Sequence, residues 1–198
     1  MGDGRTRRWD GHREQRRSDF VESAIVVIAR EGPQATVDQI AAEQGVTRQA
    51  LYRQFADRAD LDRAIAARAG DLLLDALLPT IELTGEIGGA VRSATDAYLD
   101  FVLANLALYR FVRSHEATAY EGVKGTVSSR VAALATDYVA SSGRTATAAA
   151  GSFAVGVVGL ADAVISAWLD QPGDLSRGDV VDQLVLMVSG VVSAVVVS

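Results

Sequence analysis

Residues 36–61, TVDQIAAEQGVTRQALYRQFADRADL, constrain the fold more than any other part of this 198-residue chain. Thr36 can cap a helix N-terminus through its hydroxyl, and Gln39, three residues on, can reach back to complete a capping box. Apolar residues then recur at helical spacing until Gly45, which supplies the left-handed conformation that ends many helices. The sequence therefore predicts a short helix that begins at about Val37 and is followed by a tight turn.

A second short helix is expected immediately after this turn, with Thr47 as its cap. Leu51 and Phe55 lie about one helical turn apart and should face the same core. The polar side chains that this arrangement leaves outside are Arg48, Gln49, Tyr52 and Arg53. Two short helices joined by a glycine turn, with such side chains exposed on the second, fit a helix-turn-helix whose recognition helix enters a DNA major groove.

The exposed side chains have the chemistry that this role requires. Arginine pairs with guanine and glutamine with adenine, whereas hydroxyls of threonine and tyrosine serve phosphate oxygens. Arg58 stands at the start of the next helix, where its charge opposes the helix dipole, so we expect it to contact a phosphate. The alternatives are that Tyr52 packs against the core and that Arg53 is a solvated surface charge. The predicted DNA-binding residues are Thr36, Thr47, Arg48, Gln49, Tyr52, Arg53 and Arg58.

The segment GVTRQALYRQFADRADL resembles the end of the DNA-binding domain of the tetracycline-repressor (TetR) family of transcriptional regulators. The resemblance covers roughly residues 18–61, including an apolar first helix ending at Gly32, the TVDQIA segment, the glycine-valine turn and the Leu51-Tyr52 pair. It departs at Arg58, where the family usually has lysine, a change that keeps the charge. The resemblance implies a homodimeric, all-helical regulator whose C-terminal domain binds a small molecule and thereby controls DNA affinity.

Charge is unevenly distributed along the chain, whose net charge is −6. Residues 1–70 hold 12 arginines against 11 acids, whereas residues 71–198 hold 7 basic residues against 14 acidic ones. The first 17 residues are expected to form a flexible basic arm that follows the DNA backbone, enters a minor groove or has no specific role. The predicted domains are this arm (1–17), a three-helix DNA-binding domain (18–62) and a ligand-binding and dimerisation domain (63–198).

Helical periodicity continues beyond residue 61 without the sustained alternation typical of strands, which predicts an all-α fold. The first helix is expected over residues 18–31. Further helices are expected at about 58–78, 90–113, 119–141, 146–170 and 179–196, with a flexible stretch at 84–89 and breaks at Gly143 and at residues 171–173.

The last two of these helices are apolar around most of their circumference and must be buried on more than one side. The resemblance places a dimer interface there, with two helices from each subunit forming a four-helix bundle. An intramolecular core and a membrane helix are the alternatives. The apolar run at residues 185–197 has 13 residues, fewer than the ~20 that a bilayer span requires, so no membrane partner is expected.

A ligand pocket in the C-terminal domain would be mainly apolar with a few polar groups, which suits a hydrophobic or aromatic effector. The alternative for each candidate is a place in the hydrophobic core. A charged group is clustered in the sequence and has two interpretations, a site for an acidic ligand or a solvated helix end: Arg110, Arg113, His115 and Glu116. The candidate pocket residues are Tyr98, Phe101, Asn105, Tyr109, Arg113, Tyr120, Phe153 and Trp168.

The residue inventory argues against an enzyme. With two histidines and no cysteine there is no histidine or thiolate metal cluster, and phosphate-binding glycine loops are missing from the sequence, so we expect neither metal nor cofactor. The remaining alternatives are a carboxylate site for magnesium at Asp96 and Asp100, and a helical protein-interaction module that does not bind DNA.

The lack of cysteine and of a signal peptide predicts a cytoplasmic location. The working hypothesis is a dimeric repressor that an effector releases from an inverted-repeat operator.

Overall fold

The computed structural model describes residues 3–81, 87–115, 117–141 and 149–196, and every regular element in these ranges is helical. The predicted all-α fold class is therefore confirmed. A single 3-10 turn (Leu78–Thr80) follows the fourth helix, which ends before Pro79 as expected. The helices are α1 (Asp3–Glu31), α2 (Val37–Glu43), α3 (Arg48–Leu51), α4 (Arg58–Leu77), α5 (Ile87–Ala104), α6 (Leu106–His115), α7 (Ala117–Ser141), α8 (Ala149–Asp170) and α9 (Arg177–Val196).

The chain divides into two compact units. Unit one comprises Met1–Ala69 and Asn105–Glu121, and unit two comprises Gly70–Ala104 and Gly122–Ser198. The sequence placed a boundary near residue 62 and assigned everything after it to one domain. The segment that contains α6 belongs instead with the N-terminal unit, because α6 packs against α1 and buries Phe111 almost completely.

Local signals in the sequence produce the two short helices of unit one as predicted. The hydroxyl of Thr36 accepts a hydrogen bond from the backbone N–H of Gln39 at 3.3 Å, and Oε1 of Gln39 accepts one from the backbone N–H of Thr36 at 2.8 Å. The predicted capping box is therefore confirmed. Gly45 adopts φ +63°, the left-handed conformation that a turn after α2 requires.

The core of unit one forms where α1 meets the two short helices and α4. The rings of Phe20 and Phe55 meet edge to face, with their centroids 6.3 Å apart. Leu51 is completely buried, as are Ile28 and Ile40. Burying such side chains stabilises the fold by about 1.5–3 kcal/mol each. This core holds α3, which is too short to be stable by itself.

Helix α1 begins at Asp3, so the expected start at residue 18 is wrong, and residues 3–17 are helical where the sequence predicted an arm. Residues 13–17 are arginine, glutamate and glutamine, which favour helix. Gln15 donates a hydrogen bond to Asp19, one turn later, at 2.9 Å. Because the core already nucleates α1 at Phe20, each added residue extends the helix at little cost.

Arg17 anchors the middle of α1 to the start of α4. Its guanidinium binds the carboxylate of Asp60 through two hydrogen bonds of 2.7 and 3.1 Å and donates a third, at 2.8 Å, to the backbone carbonyl of Gln54. The same group lies over the ring of Phe55, 4.2 Å from its centroid. The bond from Arg17 and a second from the backbone N–H of Ala56 lower the pKa of Asp60 from 3.8 to about 2.

Unit two contains two hydrophobic clusters. The first joins α5, α8 and α9 through Leu99, Ile165 and Leu184, all completely buried. The second joins the C-terminal half of α4 to α7 through Leu73, Leu74, Leu77 and Val127. Tyr98 packs against both clusters, so α5 connects them.

The helix boundaries between residues 84 and 143 differ from the sequence-based expectation or lie partly outside the described residues. The helix expected at 90–113 is two helices, α5 and α6, because the chain breaks at Asn105, whose carbonyl accepts the first bond of α6 from Tyr109 at 2.9 Å. Asparagine favours helix ends over helix interiors. Of the stretch expected to be flexible at 84–89, residues 87–89 lie in α5 and residues 84–86 lie outside the described ranges, as does the break expected at Gly143.

Helix α8 contains a stretch, residues 152–170, that is long and apolar enough to cross a membrane by length and composition alone, and 17% of that stretch is buried. Its apolar character has a partial explanation in the fold, since Ala154 and Ile165 are completely buried. The exposed remainder leaves Val155 61% accessible. An apolar helix with one face still exposed needs a further partner surface.

The ion pair between Arg17 and Asp60 should make the free energy of unfolding depend on pH. Because the pKa of Asp60 is lower in the folded than in the unfolded chain, its contribution is complete above pH 5 and disappears as pH falls from about 4 to 2. Asp60→Asn should lower the free energy of unfolding at pH 7 by about 1–2 kcal/mol, allowing for partial solvent screening. Urea unfolding of both proteins between pH 2.5 and 7, in steps of about half a unit, measures the difference.

Asp71→Asn, a change at an exposed position of the same helix, is the matched control and should have little effect. A difference between wild type and Asp60→Asn that stayed constant down to pH 2.5 would show that the ion pair is not the cause.

Candidate DNA-binding site

The candidate site is built on α3, which the turn after Gly45 separates from α2. The hydroxyl of Thr47 accepts a hydrogen bond from the backbone N–H of Ala50 at 3.3 Å, which confirms Thr47 as the cap. The backbone N–H groups of Gln54 and Phe55 both donate to the carbonyl of Leu51, so the turn continues past the end of α3. Burial of Leu51 fixes which side of α3 faces the core.

The structure leaves most of the predicted DNA-binding side chains accessible. Arg48, Gln49 and Arg53 are exposed, and Tyr52 is half-buried. Thr36 and Thr47 are exposed too, but their hydroxyls already cap α2 and α3. The two threonines therefore hold the helices in place, whatever else they contact.

Arg48 has two partners within the unit. Its guanidinium lies over the ring of Tyr52, 5.5 Å from the centroid, and its Nη1 lies 3.5 Å from Oδ2 of Asp38 on α2. Both charged side chains are more than half exposed, so this ion pair contributes little to stability. Asp38 was not identified from the sequence, because only the packing of α2 against α3 brings it near Arg48.

Arg58 is engaged inside unit one. Its Nε donates to Oδ1 of Asp62 at 2.7 Å and its Nη2 donates to the carbonyl of Ala35 at 3.3 Å. The guanidinium also lies over the ring of Phe111 on α6, 5.7 Å from the centroid. The Asp62 side chain is only 7% exposed and depends on this partner. Contacts within unit one thus account for a basic residue at the start of α4, and the sequence did not reveal these contacts.

Polar contacts attach α2 to α1. Gln44, just after α2, donates to the carbonyl of Asp19 at 3.0 Å and to the hydroxyl of Ser23. Arg30, near the end of α1, forms an ion pair of 2.9 Å with Glu43 on α2. Hydrogen bonds from Arg30 to Glu31 and Glu43 raise the pKa of the arginine further. These contacts set the position of the turn that leads into α3.

The candidate pocket residues do not all fall in one unit. Tyr98 and Phe101 pack against the α4 and α7 cluster of unit two. The Trp168 indole N–H, also in unit two, donates to the carbonyl of Leu175 at 2.9 Å. In unit one, the guanidinium of Arg113 lies 5.5 Å from the centroid of the Tyr109 ring. Phe153 belongs to unit two, and Asn105 and Tyr120 belong to unit one.

The carboxylate pair considered for magnesium has a structural partner. Arg177 on α9 lies 3.0 Å from Oδ1 of Asp96 and 2.8 Å from Oδ1 of Asp100, and it also donates to the carbonyl of Asp96. The pair therefore ties α5 to α9. Among the residues that the structure describes, no group of three or more potential metal ligands comes together.

Comparison with known proteins agrees with this geometry. Residues 20–65 match the family described as "Bacterial regulatory proteins, tetR family". An uncharacterized HTH-type transcriptional regulator of Mycobacterium tuberculosis is 35% identical over 121 residues, 59% of this chain and 50% of that protein. The HTH-type transcriptional repressor LfrR of Mycolicibacterium smegmatis is 33% identical over 90 residues, 46% of this chain and 47% of LfrR. The chain thus spans about half the length of the curated relatives it matches.

A crystal structure of a tetR-family transcriptional regulator from Streptomyces coelicolor superposes with a TM-score of 0.71 at 22% identity, covering 90% of this chain and 84% of that one. The shared all-helical fold and the family match place a helix-turn-helix domain at the N-terminal end of the described chain. More specifically, the helix-turn-helix at residues 20–65 belongs to the tetR family of bacterial regulatory proteins.

The same substitution at two arginines of unit one should change stability to different extents. Arg58→Gln removes the partner of the nearly buried Asp62 carboxylate, so it should lower the free energy of unfolding by about 1–2 kcal/mol. Arg53→Gln changes an exposed side chain and should alter it by less than about 0.5 kcal/mol. Urea unfolding monitored by circular dichroism measures both. Equal losses for the two variants would contradict the internal role of Arg58.

Proposed function

We propose that this protein is a dimeric cytoplasmic repressor that binds an inverted-repeat operator through α3 and is released by a small hydrophobic or aromatic effector. The observation that carries the proposal is the geometry of α3. Thr47 caps it, the buried Leu51 fixes its rotation, and Arg48, Gln49 and Arg53 are left exposed on it and just beyond its end.

Base contacts are assigned to the first two exposed residues of α3. Arg48 presents a guanidinium suited to guanine O6 and N7, and Gln49 presents an amide suited to adenine N6 and N7. In the free protein Arg48 is held by weak contacts with Asp38 and Tyr52, which a guanine can replace at small cost. These two residues therefore account for sequence preference.

Phosphate contacts are assigned to residues beside the recognition helix. Arg53 is exposed, and the half-buried Tyr52 presents a hydroxyl. Arg58 is left out of this set, because its guanidinium is bound to Asp62, the Ala35 carbonyl and the face of Phe111. This assignment differs from the sequence-based prediction for Arg58 and is tested by the salt dependence of binding.

A dimer is supported by the exposed apolar surface of the last two helices. Leu186 and Met187 on α9 and Val155 on α8 are 76%, 43% and 61% exposed in the single chain. Large exposed apolar side chains on two neighbouring helices mark an interaction surface. A second copy of the chain presents the same surface, and two helices from each copy form a four-helix bundle.

The effector is assigned to unit two, whose packing combines aliphatic clusters with the rings of Tyr98, Phe101 and Trp168. The dimer has one arrangement that fits the operator and one that does not. The effector releases the protein from DNA if it binds the second arrangement more tightly than the first. Its maximal influence on DNA affinity equals the ratio of its affinities for the two arrangements.

Selection of duplexes from a randomised DNA pool by the purified protein tests the proposed function directly. The expected result is an enriched inverted repeat whose half-sites lie about 10 bp apart or a multiple of that distance. A folded protein that enriches no duplex would refute DNA binding and favour a protein-interaction module. A reporter with the selected operator at a promoter then distinguishes repression from activation.

Substitutions in α3 should relax sequence preference. Arg48→Ala or Gln49→Ala should remove discrimination of about 1–3 kcal/mol at one position of each half-site. Competition between the operator and its single-base-pair variants measures this effect. Gln171→Ala, the same type of change at an exposed position between α8 and α9, should leave discrimination intact.

Phosphate contacts have a different signature. Arg53→Gln should weaken binding to every sequence alike and reduce the slope of log K against log salt by about 1, whereas Arg58→Gln should leave the slope unchanged. A reduced slope for Arg58→Gln would restore the phosphate contact that the sequence suggested for this residue.

The dimer is tested by placing a charge on its proposed surface. Leu186→Glu should convert a dimer into a monomer, since a carboxylate buried without a partner costs several kcal/mol. Leu175→Glu is the matched control, because Leu175 is also an exposed leucine but lies between α8 and α9. Light scattering gives the molar mass of each variant. A Leu186→Glu protein that stays dimeric would place the interface elsewhere.

A further inference from the structure

Asp38 is an exposed acid on α2 to which the proposed function gives no role in DNA binding. It stands in the first turn of the helix, whose opposite side carries the buried residues Val37, Ile40 and Ala41. Their burial fixes the rotation of α2, and the Thr36 capping box fixes its first residue. The Asp38 side chain is therefore directed away from the core, and it is 68% exposed.

The carboxylate of Asp38 lies beside the arginine that is assigned to a base. Nη1 of Arg48 donates to Oδ2 of Asp38 over a long distance of 3.5 Å, and the Arg48 side chain is 58% exposed. Both residues belong to unit one. Successive base pairs are about 3.4 Å apart, so a carboxylate at this distance from Arg48 faces the same base pair as the guanidinium or the neighbouring one.

The effects of Asp38 on the folded protein are small. An acid in the first turn of a helix complements the helix dipole, and an exposed ion pair adds little to stability. The effect on a DNA complex is larger, because the phosphates repel a carboxylate that enters the major groove. Asp38 therefore weakens binding to every sequence unless a base offers it a hydrogen-bond donor.

The base edges in the major groove differ in what they offer to a carboxylate, which accepts hydrogen bonds and donates none. Guanine presents the acceptors N7 and O6, and thymine presents the acceptor O4 beside a methyl group. Adenine presents its N6 donor next to the acceptor N7, whereas cytosine presents the N4 donor without an acceptor. A carboxylate is thus accommodated best by cytosine.

We propose that Asp38 accepts a hydrogen bond from N4 of a cytosine that lies within one base-pair step of the guanine bound by Arg48. This contact rests on the proposed function, because it needs α3 to lie in the major groove. On binding, Arg48 exchanges Asp38 for guanine, and Asp38 exchanges Arg48 for the cytosine amino group. Asp38 thereby adds a base contact from α2 to the two that are assigned to α3.

The direct test removes the amino group from one cytosine of the selected operator at a time, with 2-pyrimidinone in its place. Wild type should lose about tenfold in affinity at one cytosine of each half-site, and Asp38→Ala should lose nothing there. Any weakening of the duplex itself is common to all proteins and cancels in this double-mutant cycle. A tenfold loss that persisted in Asp38→Ala would overturn the contact.

Asp71→Ala is the matched control, because it removes a carboxylate from an exposed position of α4. It should show the wild-type loss on the 2-pyrimidinone duplex. If Asp71→Ala tolerated the analogue as Asp38→Ala is expected to, a general effect of charge would replace the specific contact.

A conservative substitution should change the base that is preferred. The amide of Asp38→Asn can donate and accept at once, which matches N7 and N6 of adenine. Selection from the randomised pool with this variant should therefore enrich adenine where wild type enriches cytosine. Retention of cytosine at that position by Asp38→Asn would contradict the proposal.

A residue that only orients Arg48 would give another result. Asp38→Ala would then relax the preference for guanine, and it would keep the wild-type loss on the duplex without the amino group. That pattern would overturn the base contact and make Asp38 a positioning residue. Circular dichroism should show the wild-type helix content for Asp38→Ala and Asp38→Asn, as expected at an exposed position.

The outcomes also separate this proposal from the one on which it depends. If Arg48→Ala relaxes the operator preference while wild type tolerates 2-pyrimidinone at every cytosine, the recognition helix stands and the Asp38 contact fails. If the folded protein enriches no duplex, both proposals fail together.

Discussion

The burial of Leu51, together with the edge-to-face contact between Phe55 and Phe20 of α1, is the packing on which the rest of unit one depends. Helix α3 has four residues, far fewer than the 12–15 that an isolated helix needs in water. Its shape is maintained by the Thr47 cap and by the hydrophobic contacts of Leu51, which is completely buried. Because that contact fixes the rotation of α3, it also decides that Arg48 and Gln49 face outward.

Polar contacts of three arginines around this core fix the positions of the helices relative to each other within unit one. Arg17 ties α1 to the start of α4, and Arg30 ties α1 to α2. Arg58, which pairs with Asp62 on its own helix, reaches the Ala35 carbonyl and the ring of Phe111 on α6. Each of these arginines would count as a DNA-binding candidate by charge alone. Charge alone therefore does not distinguish the proposed DNA-binding residues, whereas exposure on α3 or just beyond it does distinguish Arg48, Gln49 and Arg53 from these three arginines.

Local features of unit one were accessible to sequence analysis because they depend on neighbours a few residues apart. The Thr36 capping box, the left-handed Gly45 and the Thr47 cap all follow from side chains within one helical turn. The start of α1 was not accessible in the same way. Composition suggested a mobile arm at its N-terminus, but a helix nucleated by the core extends through arginine, glutamine and glutamate without further contacts.

The amino-acid sequence by itself determined the all-helical fold and the TetR-family helix-turn-helix at residues 20–65, since helical periodicity and local capping signals are encoded in short stretches. Tertiary structure alone decided the partners of Arg17, Arg48 and Arg58, because Asp60, Asp38 and the Phe111 ring reach them only after the helices pack. It also decided that α6 belongs with unit one and that Arg177 forms ion pairs with both Asp96 and Asp100. Contacts between residues 10 to 81 positions apart depend on how helices are arranged, and a pattern read along one helix contains no such information.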